Sequence, residues 1–315
     1  MIAAARRPVQ SQRKRTMSKW LKSKDFIKFS VADQIATITL NRPEKRNALS
    51  PPLLRELHEA LLEADDLVEV SVIVIEGEGQ DFCSGYDLAF GSDPANQQDD
   101  SGKYRTRMGN FDDDCWTMER KMGQMLIIPD IHKPVIAKVH GRCLAGGAEL
   151  ALMCDIVIAA EDAKIGHPGT RSLGAPPVNM WFYHVGPQWA KRLLLTGDSI
   201  SGLDAAQIGL VLDAVPADEL AAEVDALARR MTLIDADMLA CQKRVVNLAM
   251  ELTGSRNMQR ISMEMDARAH FSSGPRRAKL KADLKELGVR TAVRKRDSLF
   301  GDGMVHIRTR RHKAG

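Results

Sequence analysis

No apolar run in this sequence reaches the roughly 20 residues that a bilayer-crossing helix needs, which excludes a transmembrane helix. Cysteine is scarce. The five residues Cys83, Cys115, Cys143, Cys154 and Cys241 are odd in number and lack the paired spacing of a metal site. That argues against a disulfide framework and for a reducing compartment, the cytoplasm. Acidic residues are missing from both ends: residues 1–24 carry eight Lys/Arg and residues 303–315 carry four, with no acid in either. Without these tails the formal charge of +4 becomes −8, from 33 basic and 41 acidic residues. An acidic body excludes a broad nucleic-acid surface. The tails read as disordered ends, with transit-peptide character at the Arg-rich N-terminus as the alternative. Met17, directly before Ser18, also leaves residues 1–16 open as an upstream extension. No repeat is detectable by residue identity. His132, His140 and His184 have no spacing that suggests a metal.

What is present is enough for a large core, with 44% of the 315 residues hydrophobic. Phe26 to Val31 and Ile35 to Leu40 flank a polar turn and predict a β-hairpin. Ser50 before Pro51 predicts a helix start, with Leu53, Leu54, Leu57 and Leu61 on one face. Val70 to Ile75, Val135 to Val139 and Ile156 to Ala159 predict buried strands. Gly91 to Asp114 is polar and reads as a loop over a substrate mouth, and its Asp112, Asp113 and Asp114 as helix-capping or solvated residues rather than metal ligands. A helix is expected from Cys115 to Leu126. Beyond Ala190 the chain reads as mostly helical: 190–195, 202–208, 217–231, 236–252, 260–271 and 276–287, with a short strand at 211–215. The expected organisation is a basic extension (1–24), an α/β core (25–215), a helical module (216–302) and a basic tail (303–315).

Two segments carry chemistry. In the first, a strand ends in Ala145-Gly146-Gly147 and runs straight into a helix opening with Ala148-Glu149-Leu150. Glycines there let a ligand approach the backbone, and the first helical turn offers unpaired N–H groups at the positive end of the dipole. Such amides can hold a developing oxyanion, with Glu149 nearby as acid or base. On its own this turn also fits tight packing or phosphate binding. In the second, a Val72–Ile75 strand leads into Phe82-Cys83-Ser84-Gly85-Tyr86-Asp87-Leu88. Cys83 and Cys143 lie in these two segments and read as small apolar filler.

Taken with Ile38 to Leu49 (ITLNRPEKRNAL), these segments resemble the crotonase superfamily of enoyl-CoA hydratases and isomerases, over residues 26–302. The resemblance implies an α/β fold, a spiral of ββα units with a C-terminal helical module that builds trimers or paired trimers. It implies an acyl-CoA thioester as substrate, with no metal, no further cofactor, no nucleic acid and no membrane as partner. It places the two oxyanion amides at Tyr86 and Gly146, the Tyr86 ring being open between lining the acyl pocket and packing. Asp87 matches a loop-ordering aspartate. Glu149 matches the first of the two hydratase glutamates, its other reading being a helix N-terminal acid. The second is absent: Gly169 holds its place in Gly166-His167-Pro168-Gly169-Thr170, with His167 or Arg171 as possible substitutes. Residues 175–181 also depart from the Gly-rich continuation common in the family. Lys45 and Arg46, with Ala48, Ser84 and Gly85, are placed as CoA-binding residues.

The expected reaction is hydration of a 2-enoyl-CoA, using two amides and a single glutamate. Isomerisation or thioester hydrolysis on the same cradle is the alternative. Gly169 supports a third reading, an acyl-CoA-binding protein without chemistry.

Overall fold

A computed structural model of the chain describes residues 18–90 and 109–307. Most of the segment expected to cover a substrate mouth therefore lies outside the described residues. So do residues 1–17 and 308–315 of the basic ends.

The hairpin is formed by β1 (Ile27–Ala32) and β2 (Ile35–Leu40). Its turn uses Asp33 and Gln34, both at positive φ. Ser50 then caps α1 (Pro51–Asp66), accepting from the Leu53 amide, and prolines fill the first helical positions, where no intrahelical N–H bond is lost. Leu53, Leu54, Leu57 and Leu61 are buried as their spacing requires. The apolar run expected from Val70 becomes β3 (Val72–Gly77).

From here the chain steps repeatedly between two sheets. β4 (Val135–Val139) joins the larger sheet and β5 (Arg142–Leu144) the smaller; α3 (Gly146–Met153) follows. β6 (Ile156–Ala160) and β7 (Lys164–Gly166) repeat that step, ahead of a 3-10 turn (Pro168–Arg171) and α4 (Trp181–Thr196). β8 (Ser199–Ser201), α5 (Gly202–Gln207) and β9 (Asp213–Val215) complete it. The larger sheet has the order β1-β2-β3-β4-β6-β9, parallel from β2 onward. The smaller contains β8-β7-β5, extended by a lone bridge between Cys83 and Cys143 and at its other edge by β10 (Met304–Val305). Both cysteines are fully buried inside this junction, as small apolar fillers.

The helices α6 (Leu220–Met231), α7 (Ala236–Leu252), α8 (Ser255–His270) and α9 (Pro275–Asp297) follow. α6 packs against β3, β4, β6 and β9, while α8 packs against α2 (Phe111–Met122) and α7.

Several expected boundaries shift, each for a local reason. α2 begins four residues before Cys115, because Asn110 caps it by accepting from the Asp113 amide. Asp112 and Asp113 are thus first-turn acids, favourable at a helix N-terminus. Asp114 departs from the capping or solvated reading: it is fully buried. α4 starts at Trp181 and not at Ala190, because Gly186 (φ 68°) and Pro187 break its periodicity. α9 runs beyond Leu287 across a bend at Gly288 (φ 74°), which turns residues 289–297 back toward the core. At the chain ends, residues 18–24 do not behave as a loose extension. The Trp20 amide donates to Glu63 on α1 at 2.6 Å, and Leu21 is buried.

Candidate active site

The two chemistry-bearing segments meet edge to edge. The Leu49 amide donates to the Gly85 carbonyl and the Asp87 amide to the Leu49 carbonyl, so residues 85–87 are held as a short strand beside Leu49. The turn before it is locked by Asn47. Its side chain accepts from the Arg42 amide and donates to the carbonyls of Glu78 and Asp81. Gly85 has φ 104°, and a Cβ there would sit 2.9 Å from both Ala145 Cβ and the Leu144 carbonyl. Only glycine lets these backbones come so close.

Ala145 adopts φ 48° immediately before α3, whose eight residues are all buried. Neither the Tyr86 nor the Gly146 N–H donates to a backbone carbonyl among the described residues. The two segments that carry these amides thus abut at Gly85 and Ala145.

Glu149, one turn into α3, is 1% exposed. Its Oε2 accepts from the Tyr86 hydroxyl at 2.6 Å. Burial pushes the Glu149 carboxyl well above the usual carboxylate range, with the negative charge of Asp266 adding to it and the Tyr86 hydrogen bond opposing it. Burial likewise raises the Tyr86 phenol, with Glu149 contributing, so the tyrosine keeps its proton and is the donor of the pair. The Tyr86 ring covers the face of Gly146, where a Cβ would meet it at 2.7 Å. Lys121 Nζ lies 4.3 Å from the centre of that ring, at cation–π distance. The Tyr86 side chain therefore does more than pack: its hydroxyl holds Glu149 and its ring lines the cavity.

His167 brings its Nδ1 to 3.9 Å from Glu149 Oε1; among the described residues neither atom has a partner within hydrogen-bond distance, although the Val178 amide is near enough to favour the Glu149 carboxylate. Burial, with Arg296 adding to it, lowers the His167 imidazole to about 4, so the ring is neutral at pH 7. Gly169 sits against this ring: a Cβ there would lie 3.1 Å from His167 Nε2. Arg171 is turned away, paired with Asp198 at 2.7 Å and Asp297 at 3.3 Å.

A cavity of about 680 Å³ is lined by Tyr86, Lys121, His167, Gly169, Asp266 and His270; Glu149 is not in its lining and meets it through Tyr86 and His167. The cavity runs into a second recess of about 590 Å³ walled by Lys45, Arg46, Ala48, Ser84, Arg142 and Arg290. Four of the five residues expected to hold CoA thus share that recess; Gly85 instead provides the backbone contact behind it. Asp87 orders its loop, accepting from the Ala89 and Phe90 amides and pairing with Arg42. His184 Nε2 donates to the Leu152 carbonyl, His132 pairs with Asp65 and His140 Nε2 donates to the Gly79 carbonyl, and none of the three lines the cavity. Among the described residues no group of three His, Cys, Asp or Glu could hold a metal ion, and no helix is long and apolar enough to cross a membrane.

Sequence reasoning missed the far wall. His270 Nδ1 lies 2.6 Å from Asp114 Oδ2, and its Nε2 lies 3.7 Å from Asp266 Oδ1. All three are buried. They come from α2 and α8, more than 150 residues apart for the Asp114–His270 pair, and no local motif links them.

The family model described as enoyl-CoA hydratase/isomerase matches residues 30–286. A crotonyl-CoA hydratase from Syntrophomonas wolfei is 34% identical over 242 residues, 75% of this chain and 85% of that protein. A mitochondrial enoyl-CoA hydratase from Pongo abelii is 34% identical over 70% of this chain and 71% of its own length. Among solved structures, an enoyl-CoA hydratase from Mycobacterium smegmatis aligns with a TM-score of 0.79 at 34% identity, over 88% of this chain and 94% of the other. An enoyl-CoA hydratase/isomerase from Xanthobacter autotrophicus Py2 aligns with a TM-score of 0.79 at 30% identity, over 88% and 98%.

Proposed function

The chain belongs to the enoyl-CoA hydratase/isomerase family, and we propose that within it the protein is a lyase that adds water to 2-enoyl-CoA thioesters. The observation that carries this reading is the approach of His167 Nδ1 to Glu149 Oε1 at 3.9 Å, both atoms buried and without a hydrogen-bond partner among the described residues. A water admitted between them would lie within hydrogen-bond reach of both.

The Tyr86 and Gly146 amides receive the thioester oxygen. Charge accumulates on that oxygen when water attacks Cβ and the double-bond electrons move toward Cα and the carbonyl. A preorganised donor of this kind is worth about 10²- to 10³-fold in rate. Glu149 enters the step as the acid, since its burial favours the protonated form, and delivers a proton to Cα as the enolate collapses; the proton lost by the attacking water then replaces it on Glu149. Tyr86 holds the other carboxyl oxygen and fixes its orientation. Neutral His167 orients the water. With a resting proton affinity this low, it is a positioning group rather than the second acid. Around the mouth, Lys45, Arg46, Arg142, Arg290 and Arg294 against Glu44 and Asp87 suit the nucleotide phosphates of CoA. No metal or redox cofactor enters the step.

Gly169 favours a second reading. One carboxyl group is sufficient to move a proton between carbons, so the same cradle supports double-bond isomerisation. Thioester hydrolysis and acyl-CoA binding without turnover are the further outcomes. Incubation with trans-2-enoyl-CoAs of several chain lengths separates them by mass. Hydration adds one water, isomerisation leaves the mass unchanged, hydrolysis releases CoA, and binding alone changes nothing. We further propose a homotrimer or paired trimer working in the cytoplasm. The exposed apolar faces of α7 and α8 support the assembly, and five free cysteines support the compartment.

A further inference from the structure

We propose that Asp266, on α8, is the second carboxylate of the proton-transfer site, supplying across the cavity the group that Gly169 lacks. The proposal rests on the reading of the site as one that adds water across an acyl-CoA double bond.

The argument begins with the loop after Gly169. Its carbonyl accepts from the Leu173 amide at 2.8 Å and the Gly174 amide at 3.2 Å, so the chain doubles back and Gly174 lies against position 169. Asp266 occupies the space beside Gly174. A Cβ on that glycine would fall 2.1 Å from Asp266 Oδ1 and 3.5 Å from His270 Nε2. No other residue at 174 allows the carboxylate to come this close. The Ala175 amide donates to the same oxygen at 2.8 Å. Arg277 clamps the assembly, donating to the carbonyls of Ser172, Leu173 and His270. A carboxylate has thus been carried from the α8 side to within one loop backbone of the place where Gly169 offers none.

Its surroundings are those of a proton-transfer group. Asp266 is 5% exposed yet lines the same cavity as Tyr86 and His167. Behind it stands His270, itself held by Asp114 at 2.6 Å. The imidazole therefore sits between two carboxylates, with one nitrogen turned to each. The charge of Asp266 also reaches both reacting side chains opposite, favouring the protonated form of Glu149 and of Tyr86. Two carboxyl groups whose environments are coupled in this way divide the acid and base roles.

The proton balance then closes. The water oxygen forms a bond to Cβ while the double-bond pair moves onto Cα and the thioester oxygen. Asp266 takes the proton that the water loses, and Glu149 gives its proton to Cα. Transfer of the proton from Asp266 to Glu149 through cavity water resets the site.

A purely structural Asp266, tying Ala175 to α8, predicts something different, and Asp266→Asn separates the two. Asparagine keeps an acceptor oxygen for the Ala175 amide but cannot take a proton. Two readouts on the full chain are needed: hydration of trans-2-enoyl-CoAs, and exchange of the α-hydrogens of butanoyl-CoA for deuterium in D2O. The exchange needs only the oxyanion cradle and a base. With melting temperature and butanoyl-CoA binding retained, we expect Asp266→Asn to lower kcat for hydration by about 10²- to 10⁴-fold with KM nearly unchanged, while α-hydrogen exchange, which Glu149 performs at Cα, stays near the wild-type rate. Wild-type hydration by Asp266→Asn, or an equal loss in both reactions, overturns the proposal. If wild-type protein hydrates no enoyl-CoA, the hydratase reading itself falls whatever the variant does, and the assignment of Asp266 falls with it.

Discussion

His167 and Glu149 show how burial, more than any single neighbour, sets apart two titratable side chains 3.9 Å from each other. Burial disfavours the charged form of each, so the histidine loses proton affinity and the glutamate gains it. The consequences for stability run in opposite directions. His167 binds its proton less readily in the folded chain than in the unfolded one, falling from 6.5 to about 4. Between those values the unfolded state holds more protons, so this contribution is present above pH 6.5 and is lost as pH drops toward 4. Its full extent is roughly 3 kcal/mol. Glu149 is raised, so its contribution is present below 4.5 and fades as pH rises through its folded value. Denaturant titrations of wild type and His167→Gln at pH 7 and pH 4 test the histidine. The variant should lose less stability on acidification, by an amount of that order, and equal losses would contradict its buried neutral state. The approach of the 85–87 and 145–149 segments was legible in the sequence because each lies on an unbroken motif whose backbone geometry is fixed locally. The Tyr86 hydroxyl was not, since sequence does not say which way a side chain turns. Asp114, Lys121, Asp266 and His270 were invisible for a different reason. They are polar residues on amphipathic helices, and nothing in their spacing distinguishes a polar face that meets solvent from one that meets another helix.

At the scale of elements, two glycines and one lysine set the geometry that the motifs rely on. Gly186 and Gly288 each break a helix at positive φ. The second bend folds residues 289–297 back so that Val293 and Arg296 line the cavity. Helix periodicity continued up to the bend and stopped there, which is why the reach of α9 was underestimated. The seat of α7 depends on Lys243, whose ammonium is buried. It pairs with Asp155 at 2.9 Å and donates to the carbonyls of Ile128 and Lys133. Asp155 in turn accepts from the Val135 amide at the start of β4. Burial already raises the Asp155 carboxyl despite the lysine. Lys243→Met leaves this carboxylate without its cation and two carbonyls without a donor. Breaking a buried pair from one side costs about 3–5 kcal/mol. A calorimetric melt should show a loss of that size, and an unchanged melt would mean that α7 is held by its apolar contacts alone.

For the whole molecule, the described chain leaves an apolar surface that its own fold does not cover. Val245, Val246, Leu248 and Leu252 on α7, with Ile261 and Met265 on α8, are exposed, while Met250 turns inward against the core. Exposed apolar side chains gathered on two helices in contact support the proposed interface. Light scattering at micromolar concentration should give three or six times the chain mass of 34.8 kDa, and a monomer mass would contradict the proposed assembly. Single strands and helices were readable from local pattern, but their spiral arrangement came from the resemblance to the family, because local periodicity does not say which sheet a strand joins. The closure of the cavity by α2 and α8 was not readable, since it depends on packing between segments far apart in the chain. The account as a whole turns on Glu149 moving a proton next to the Tyr86 and Gly146 amides. The most direct test is steady-state hydration of a trans-2-enoyl-CoA by wild type and Glu149→Gln, with acyl-CoA affinity measured on both. The account predicts that wild type adds one water and that the variant binds equally well but turns over about 10²- to 10⁴-fold more slowly. Full turnover by Glu149→Gln would contradict it.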